Sequence, residues 1–410
     1  MSEGPPATSS AKRASKGEMS IKGRSAKGGG WRAAGPLATY SHHPGFMNST
    51  LDMNADSQLF TLLREYAAIV PTSQMRYPHS IPKDTLHDFL LRSIILGPHF
   101  RKYSPSKQYQ KSFWKWIVQH LELDVEIDTQ ILSILTETST STFPRGISVP
   151  APPSPSYVTH YWRLDTPSSS NETPVTPECF RTTLFESGTM IESGTTGFRT
   201  WPASLHLANY IIMHPEWVYG RRILELGSGI GFLGMIAGSL QMLTASSTDI
   251  PPGDTSRPML YLTDVDSDVI ARYMTASMDH RDSISVSMLD WSDALRPDSI
   301  SAFKARLQQE INADLIIGAD IVFDPSLIPA LMATLSLALD PGFARRQRVA
   351  LIALTIRNKE TYATFRATAQ KYNLVIVDLE YTSTDSLFFH GVDERADQKH
   401  DVKIMKITIQ

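Results

Sequence analysis

The sequence predicts an α/β protein. A doubly wound sheet of seven strands ends in an antiparallel hairpin, and a small α-helical domain precedes it. Three observations carry this. From about Arg181, short apolar runs alternate with helical patterns, as in a parallel sheet covered by helices on both faces. Near the end, Leu374–Glu380 and Val402–Ile409 alternate apolar and polar residues with no long helix between them, as an antiparallel pair at a sheet edge does. Earlier, within residues 55–135, apolar residues recur at the three-and-four spacing of helices.

Residues 1–50 are rich in Ser, Gly, Ala and Lys/Arg, with Glu3 and Glu18 as their acids. Such a stretch buries too little apolar surface to offset its ordering entropy, and a disordered tail is expected. Sparse acids with Ser and Arg also suit a transit peptide, but Gly28–Gly30 interrupts the amphipathic helix that one needs. Residues 51–136 form the helical domain. Its stripes are Leu59, Leu62, Leu63, Tyr66 and Val70; Leu86, Phe89, Leu90 and Ile94; and Tyr109, Phe113, Trp116 and Ile117. Residues 137–177 read as a linker rich in Ser, Thr and Pro. Pro150, Pro152, Pro153 and Pro155 lack the N–H that a helix or central strand uses, although Tyr157–Leu164 suits a strand.

Residues 178–410 hold the sheet. Short strands are expected at Thr182–Glu186 and Thr189–Glu192, and a helix from Pro202 carries Leu205, Ala208, Ile211 and Ile212. The strands that follow are Arg222–Leu226, Met259–Thr263, Ser285–Leu289, Asp314–Gly318 and Val349–Thr355.

Composition excludes several classes. The chain of 410 residues is 41% hydrophobic with a net charge of −3, whereas a dedicated nucleic-acid binder is usually strongly basic. Cys179 is the one cysteine, so no disulfide forms within the chain, which fits a reducing compartment. No apolar run reaches the roughly 18 residues of a membrane span, and no signal-peptide core follows Met1. The histidines show no H-x-x-x-H pair, so no metal is expected. There is no G-x-S-x-G elbow and no P-loop.

The sharpest motif is Glu225-Leu226-Gly227-Ser228-Gly229-Ile230-Gly231, where a strand turns into a helix near Phe232. Glycines let a ligand approach the backbone, and a helix N-terminus offers free N–H groups to a carboxylate. Gly229–Gly234 also fits the dinucleotide fingerprint G-x-G-x-x-G. That fingerprint begins directly at a strand end, whereas the apolar run here stops two residues earlier. Glu225, moreover, places an acid in a buried strand end, where it needs a partner. The cationic amino group of S-adenosylmethionine can be that partner, which favours a methyl donor over a dinucleotide. Asp264 closes the next strand, where an acid can accept from both ribose hydroxyls. Asp266 is the alternative ligand, and helix capping is the alternative role for Asp264. The usual spacing of about 20 residues is exceeded because Thr244–Pro258 reads as an inserted loop. Asp290-Trp291 stands after the third strand, where an acid can take the adenine amino group and Trp offers a flat face; a half-buried core Trp fits as well. After the fourth strand comes Gly318-Ala319-Asp320-Ile321-Val322-Phe323-Asp324-Pro325, at the end bordering the ligand crevice of such folds. The two adjacent prolines typical of methyltransferases acting on planar nitrogens are missing, which points to a flexible amine such as lysine.

These residues resemble a known family. The run Ser193–Ser204, the glycine loop and Ala319–Phe323 are similar to the Rossmann-like seven-strand lysine methyltransferases with an Asp-x-x-Tyr/Phe motif. Leu354–Thr361 narrows the resemblance to the elongation factor 2 lysine methyltransferases, and the helical part, including Pro105–Tyr109, resembles theirs more weakly. The resemblance covers about residues 55–410. It implies S-adenosylmethionine as cofactor, contacted by Trp201, Gly227, Ser228, Gly229, Asp264, Trp291 and Ala319, beside Glu225 from the reading of the loop itself. It implies Asp320 and Phe323 as the catalytic motif, with Phe standing where Tyr is usual. Asp320 would orient the lysine amine and steady its developing charge, while Phe323 would wall the lysine channel.

A protein substrate, elongation factor 2, is therefore expected, for a monomer in the cytoplasm with no membrane and no stable nucleic-acid partner. Two other readings stay open. One is an adenosylmethionine-binding adaptor without chemistry. The other is an RNA-associated enzyme, because Arg101, Lys102, Lys107, Lys111 and Lys115 interleave with Tyr103, Tyr109, Trp114 and Trp116.

Overall fold

The computed structural model describes residues 38–43, 53–121, 126–136, 154–164, 179–189, 196–245, 259–266, 268–269, 283–342, 347–380 and 401–410. In chain order the elements are β1 (Ala38–His43), α1 (Met53–Ala67), α2 (Lys83–Leu90), α3 (Pro98–Lys102), α4 (Lys107–Leu121), α5 (Thr129–Thr136), β2 (Ser156–Arg163), β3 (Cys179–Glu186) and α6 (Pro202–Met213). Then come β4 (Arg222–Leu226), α7 (Phe232–Ala245), β5 (Met259–Asp264), β6 (Ile284–Met288), α8 (Ile300–Ala305), β7 (Leu315–Ala319), α9 (Ile328–Leu339), β8 (Val349–Thr355), α10 (Lys359–Lys371), β9 (Leu374–Leu379) and β10 (Val402–Ile409). Most of the expected tail, much of the Pro-rich linker, most of the 244–258 loop and most of the Thr189–Glu192 strand lie outside the described residues.

The main sheet has seven strands in the order β6-β5-β4-β7-β8-β10-β9. Six share one direction, and β10 alone runs opposite, antiparallel to both β8 and β9. This is the Rossmann-like methyltransferase fold expected from the sequence, with its antiparallel hairpin. The winding reverses at β4: the chain next lays β5 and β6 on one side and then β7 and β8 on the other. Register places Leu226 level with Thr263 and with Gly318. The residues just beyond, Gly227, Asp264 and Ala319, are therefore brought to one edge, the place where such sheets bind ligands. All seven residues of β8 are buried, as a near-continuous apolar strand covered on both faces should be. Apolar side chains of α6 and α7 cover one face, and those of α8, α9 and α10 cover the other.

The helical layer has a core of its own, in which Leu59, Leu62, Tyr66, Leu86, Leu90, Phe113, Trp114 and Ile117 are joined by Tyr161 of β2. Ser106 N–H donates to Ser156 Oγ (2.8 Å) and His99 Nε2 lies 3.0 Å from Thr159 Oγ1, tying this layer to β2. Two of the aromatics that interleave with the cations are core residues: Trp114 is 0% exposed and Tyr103 is buried. Lys111 and Lys115 remain exposed on α4.

One difference from expectation falls in the tail. Ala38–His43 pairs antiparallel with Cys179–Leu184, making a three-stranded sheet in the order β1-β3-β2. Composition averages over a whole segment. A six-residue strand added to an open edge draws on backbone groups that composition does not count. Among the described residues no helix is long and apolar enough to cross a membrane.

Phe113→Ala tests the helical core. Phe113 is fully buried and the site cannot refill itself, so the variant should lose about 3–5 kcal/mol in urea unfolding. A loss under about 1 kcal/mol would mean that these helices are not packed as described.

Candidate active site

β4 ends at the glycine loop because three of its residues need backbone that L side chains resist. Gly227, Gly229 and Gly231 have φ of +63°, +52° and +81°. Two of them also sit in close quarters. A Cβ on Gly229 would lie 2.8 Å from the Gly197 carbonyl oxygen, and one on Gly227 would lie 2.9 Å from Ile321 Cγ2 and 3.7 Å from the Trp291 ring. The loop is thus flanked by the turn before α6, by Trp291 and by the residue after Asp320.

Ser228 staples the loop to β5. Its N–H donates to Thr263 O (2.9 Å), and its Oγ accepts from Thr263 N–H (2.8 Å). Thr263 Oγ1 in turn donates to Glu225 O (2.6 Å). The sequence reading placed Ser228 among the cofactor contacts; its visible work here is to hold the loop.

Asp264 follows directly. Its Oδ2 accepts from Gly229 N–H (3.0 Å), and its Oδ1 accepts from Val265 N–H and Asp266 N–H. Burial pushes this carboxyl up, against the pull of those three amides. Asp266 does something else: its Oδ1 accepts from Asp268 and Val269 N–H, the pattern of a helix N-cap. Capping therefore falls to Asp266, and the acid beside the loop is Asp264.

Glu225 is 3% exposed. Its Oε2 makes no normal hydrogen bond among the described residues and lies 2.5 Å from where a Cβ on Gly234 of α7 would stand. Burial raises its pKa to about 8, with the Ser228 hydroxyl and the Gly234 N–H opposing and the Asp264 charge adding. With a pKa of about 8, this acid is mostly protonated at neutral pH in the folded state.

Trp291 packs against the core over Gly227, while Asp290 accepts from Ser292 N–H (2.9 Å) and pairs with Arg296 (3.2 Å). Burial pushes the Asp290 carboxyl up, but Ser292 and Arg296 outweigh it and hold it below the usual range. Both its oxygens are thus engaged. Trp201 precedes α6 and donates from Nε1 to Thr196 O (3.1 Å).

At the end of β7, Ala319 leads into Asp320, which has φ of +53°, a left-handed conformation rare outside glycine. Asp320 N–H donates to Ala353 O (2.9 Å). Its Oδ1 accepts from Thr355 N–H (2.8 Å), and its Oδ2 accepts from Thr355 Oγ1 (2.9 Å) and from Arg357 (3.1 Å). Strain of this kind persists only where surroundings over-determine it, and it clusters at functional sites. Phe323, three residues on, is 64% exposed. The structure therefore brings Gly227, Gly229, Asp264, Trp291, Ala319 and Asp320 to one edge of the sheet. Sequence reading missed Thr263, Thr355 and Arg357 as parts of it. The signal was that β7 and β8 follow one another in a parallel sheet, so their ends stand side by side.

The cradle fits an adenosylmethionine group. It offers a turn of glycines in backbone conformations that L side chains resist, and a carboxylate, Asp264, next to that turn. Among the described residues no cluster of acidic, His or Cys side chains is placed to hold a metal ion.

The sheet order is that of the Rossmann-like methyltransferase fold, in which the methyl donor is S-adenosylmethionine. Within it, residues 189–371 match the family model described as lysine methyltransferase. The protein-lysine N-methyltransferase EFM3 of Chaetomium thermophilum is 34% identical over 188 residues, covering 45% of this chain and 50% of its own. The human protein-lysine N-methyltransferase EEF2KMT is 30% identical over 198 residues, 45% of this chain and 52% of its own. The Bos taurus EEF2KMT is 24% identical over 301 residues, 67% of this chain and 75% of its own. The match spans about half the length of the first two of these relatives.

Two outcomes are expected. Gly229→Ala forces a Cβ against the Gly197 carbonyl in a left-handed residue, so adenosylmethionine should bind at least tenfold more weakly by calorimetry, with circular dichroism unchanged. Asp264→Ala should weaken it similarly; parental affinity in both variants would remove the site. Glu225 gives a pH signature. Its carboxyl ionises near 4.5 when unfolded but near 8 when folded, so the unfolded state releases the proton first and stability falls as pH rises through that window. The slope is at most about 1.4 kcal/mol per pH unit. Glu225→Gln should flatten it in urea unfolding between pH 5 and 8, and an unchanged slope would assign the effect elsewhere.

Proposed function

We propose that this protein is an S-adenosylmethionine-dependent protein-lysine N-methyltransferase whose substrate is a lysine of a translation factor, elongation factor 2. The carrying observation is the Asp320-Ile321-Val322-Phe323 turn, a strained acid and an exposed aromatic beside the glycine cradle. The resemblance of Leu354–Thr361 supports the choice of elongation factor 2. Under this reading the enzyme works as a monomer in the cytoplasm.

The glycine loop and Asp264 hold the donor, Trp291 lies beside the loop, and Trp201 stands before α6. Bound adenosylmethionine would supply an electrophilic sulfonium methyl for transfer to the lysine nitrogen. A free lysine has a pKa of about 10.4 and arrives mostly as ammonium, so it must lose a proton before attack. Phe323 and the neighbouring backbone shape the approach, and Asp320 fixes the turn from which Phe323 projects. The helical layer reads the substrate, since nothing at the transfer site chooses one lysine among many.

Purified elongation factor 2 incubated with labelled adenosylmethionine should take label on lysine. Asp320→Ala should bind the donor within a few-fold of the parent yet transfer at least tenfold less methyl. Label confined to RNA or to no acceptor would overturn the reading. Because Tyr161 of β2 belongs to the helical core, deleting the helices would uncover that core. Charge reversal is the cleaner probe: Lys111→Glu with Lys115→Glu should raise KM for the intact factor severalfold and leave donor affinity alone. An unchanged KM would remove α4 from substrate reading.

A further inference from the structure

The Asp320 carboxylate does not face solvent. Its side chain is 5% exposed, and its oxygens already accept three hydrogen bonds from Thr355 and Arg357. What solvent meets instead is Arg357, whose side chain is 41% exposed. The guanidinium donates to Asp320 Oδ2 on one side and lies 5.2 Å from the centre of the Trp201 ring on the other. It therefore bridges the strained motif acid and the residue that opens α6.

We infer that Arg357 is a positioning residue of the transfer step: it fixes a positive charge over Asp320, so that the substrate lysine is received as the free amine. This rests on the lysine-methyltransferase reading above. Transfer uses the nitrogen lone pair, which an ammonium lacks. A bare carboxylate at the site would favour the ammonium, whereas a cation beside it disfavours a second positive charge. Arginine does not titrate in the working range, so the cation is present at every pH used.

Other charged groups stand on the surrounding elements among the described residues, including Arg199 in the turn before Trp201. Glu186 of β3 accepts from the Thr200 hydroxyl (2.7 Å). Asp401 pairs with Lys403 (3.2 Å) while its carbonyl accepts from Ile356 N–H. Asp324 accepts from Ser326 N–H, and Lys359 and Glu360 begin α10. Among the described residues Arg357 is the cation in ion-pair contact with Asp320.

The test is the pH dependence of kcat with elongation factor 2 as acceptor, for the parent, Arg357→Lys, Arg357→Gln and Arg357→Met. The two neutral variants should move the acid limb of the profile upward by roughly one pH unit, a deficit of about tenfold near pH 7 that closes as the pH rises. Arg357→Lys should keep the limb in its parental place. Donor affinity by calorimetry serves as the check on folding, and either neutral variant suffices. A deficit equal at all pH values would make Arg357 purely structural and overturn the inference. So would neutral variants that are faster at low pH, which would make Arg357 a plug over Asp320. A parent that labels no lysine of the factor would overturn the underlying reading along with it.

Discussion

The functional edge of this protein depends on Thr263. This one buried residue, level with Leu226 in the parallel register, receives the Ser228 N–H, donates its own N–H to Ser228 Oγ and caps the Glu225 carbonyl. Those bonds turn the glycine loop, by composition the loosest part of the sheet, into a fixed surface. Gly229 N–H can then reach Asp264, the residue next to Thr263. Loop, acid and strand end are set by the same few hydrogen bonds in a dry environment, where each weighs more than it would in water.

Three carboxylates stand along this edge, and the fold treats each differently. Glu225 is buried and pushed toward its neutral form. Asp264 is held by three backbone amides at the rim of the cradle. Asp320 is locked into a left-handed turn and covered by an arginine. Their separate surroundings give one edge an acid that resists charge, an acid that can accept further donors and an acid that serves as scaffold.

Much of this was legible in the sequence, for definite physical reasons. Arg222–Leu226 and Val349–Thr355 were predicted with their observed ends, because a strand buried on both faces is a continuous apolar run with sharp polar limits. The antiparallel pairing of the last strand was legible as alternation without an intervening helix. Most other strand ends slipped by one residue, as at Leu315–Ala319, where Ala319 continues the ladder without an apolar side chain of any size to mark it, and β3 begins at Cys179, three residues before the expected Thr182. What periodicity does not contain is contact between distant segments. Trp114 read as one aromatic among cations but is core, because the stripe around the helix is wider than its strongest positions suggest. Arg357 stood in plain sight beside Thr355, yet its role depends on a turn 37 residues earlier in the chain.

The position of β10 has a consequence for how the chain is made. This strand follows all the others described, yet it lies inside the sheet between β8 and β9. Until it emerges, β8 presents a full apolar edge with unpaired backbone groups, the kind of surface that recruits other chains. A nascent chain can build the helical layer and the parallel strands before β10 has been made, but the sheet closes only when β10 arrives. Protection from aggregation therefore has to last until this inner strand has been made.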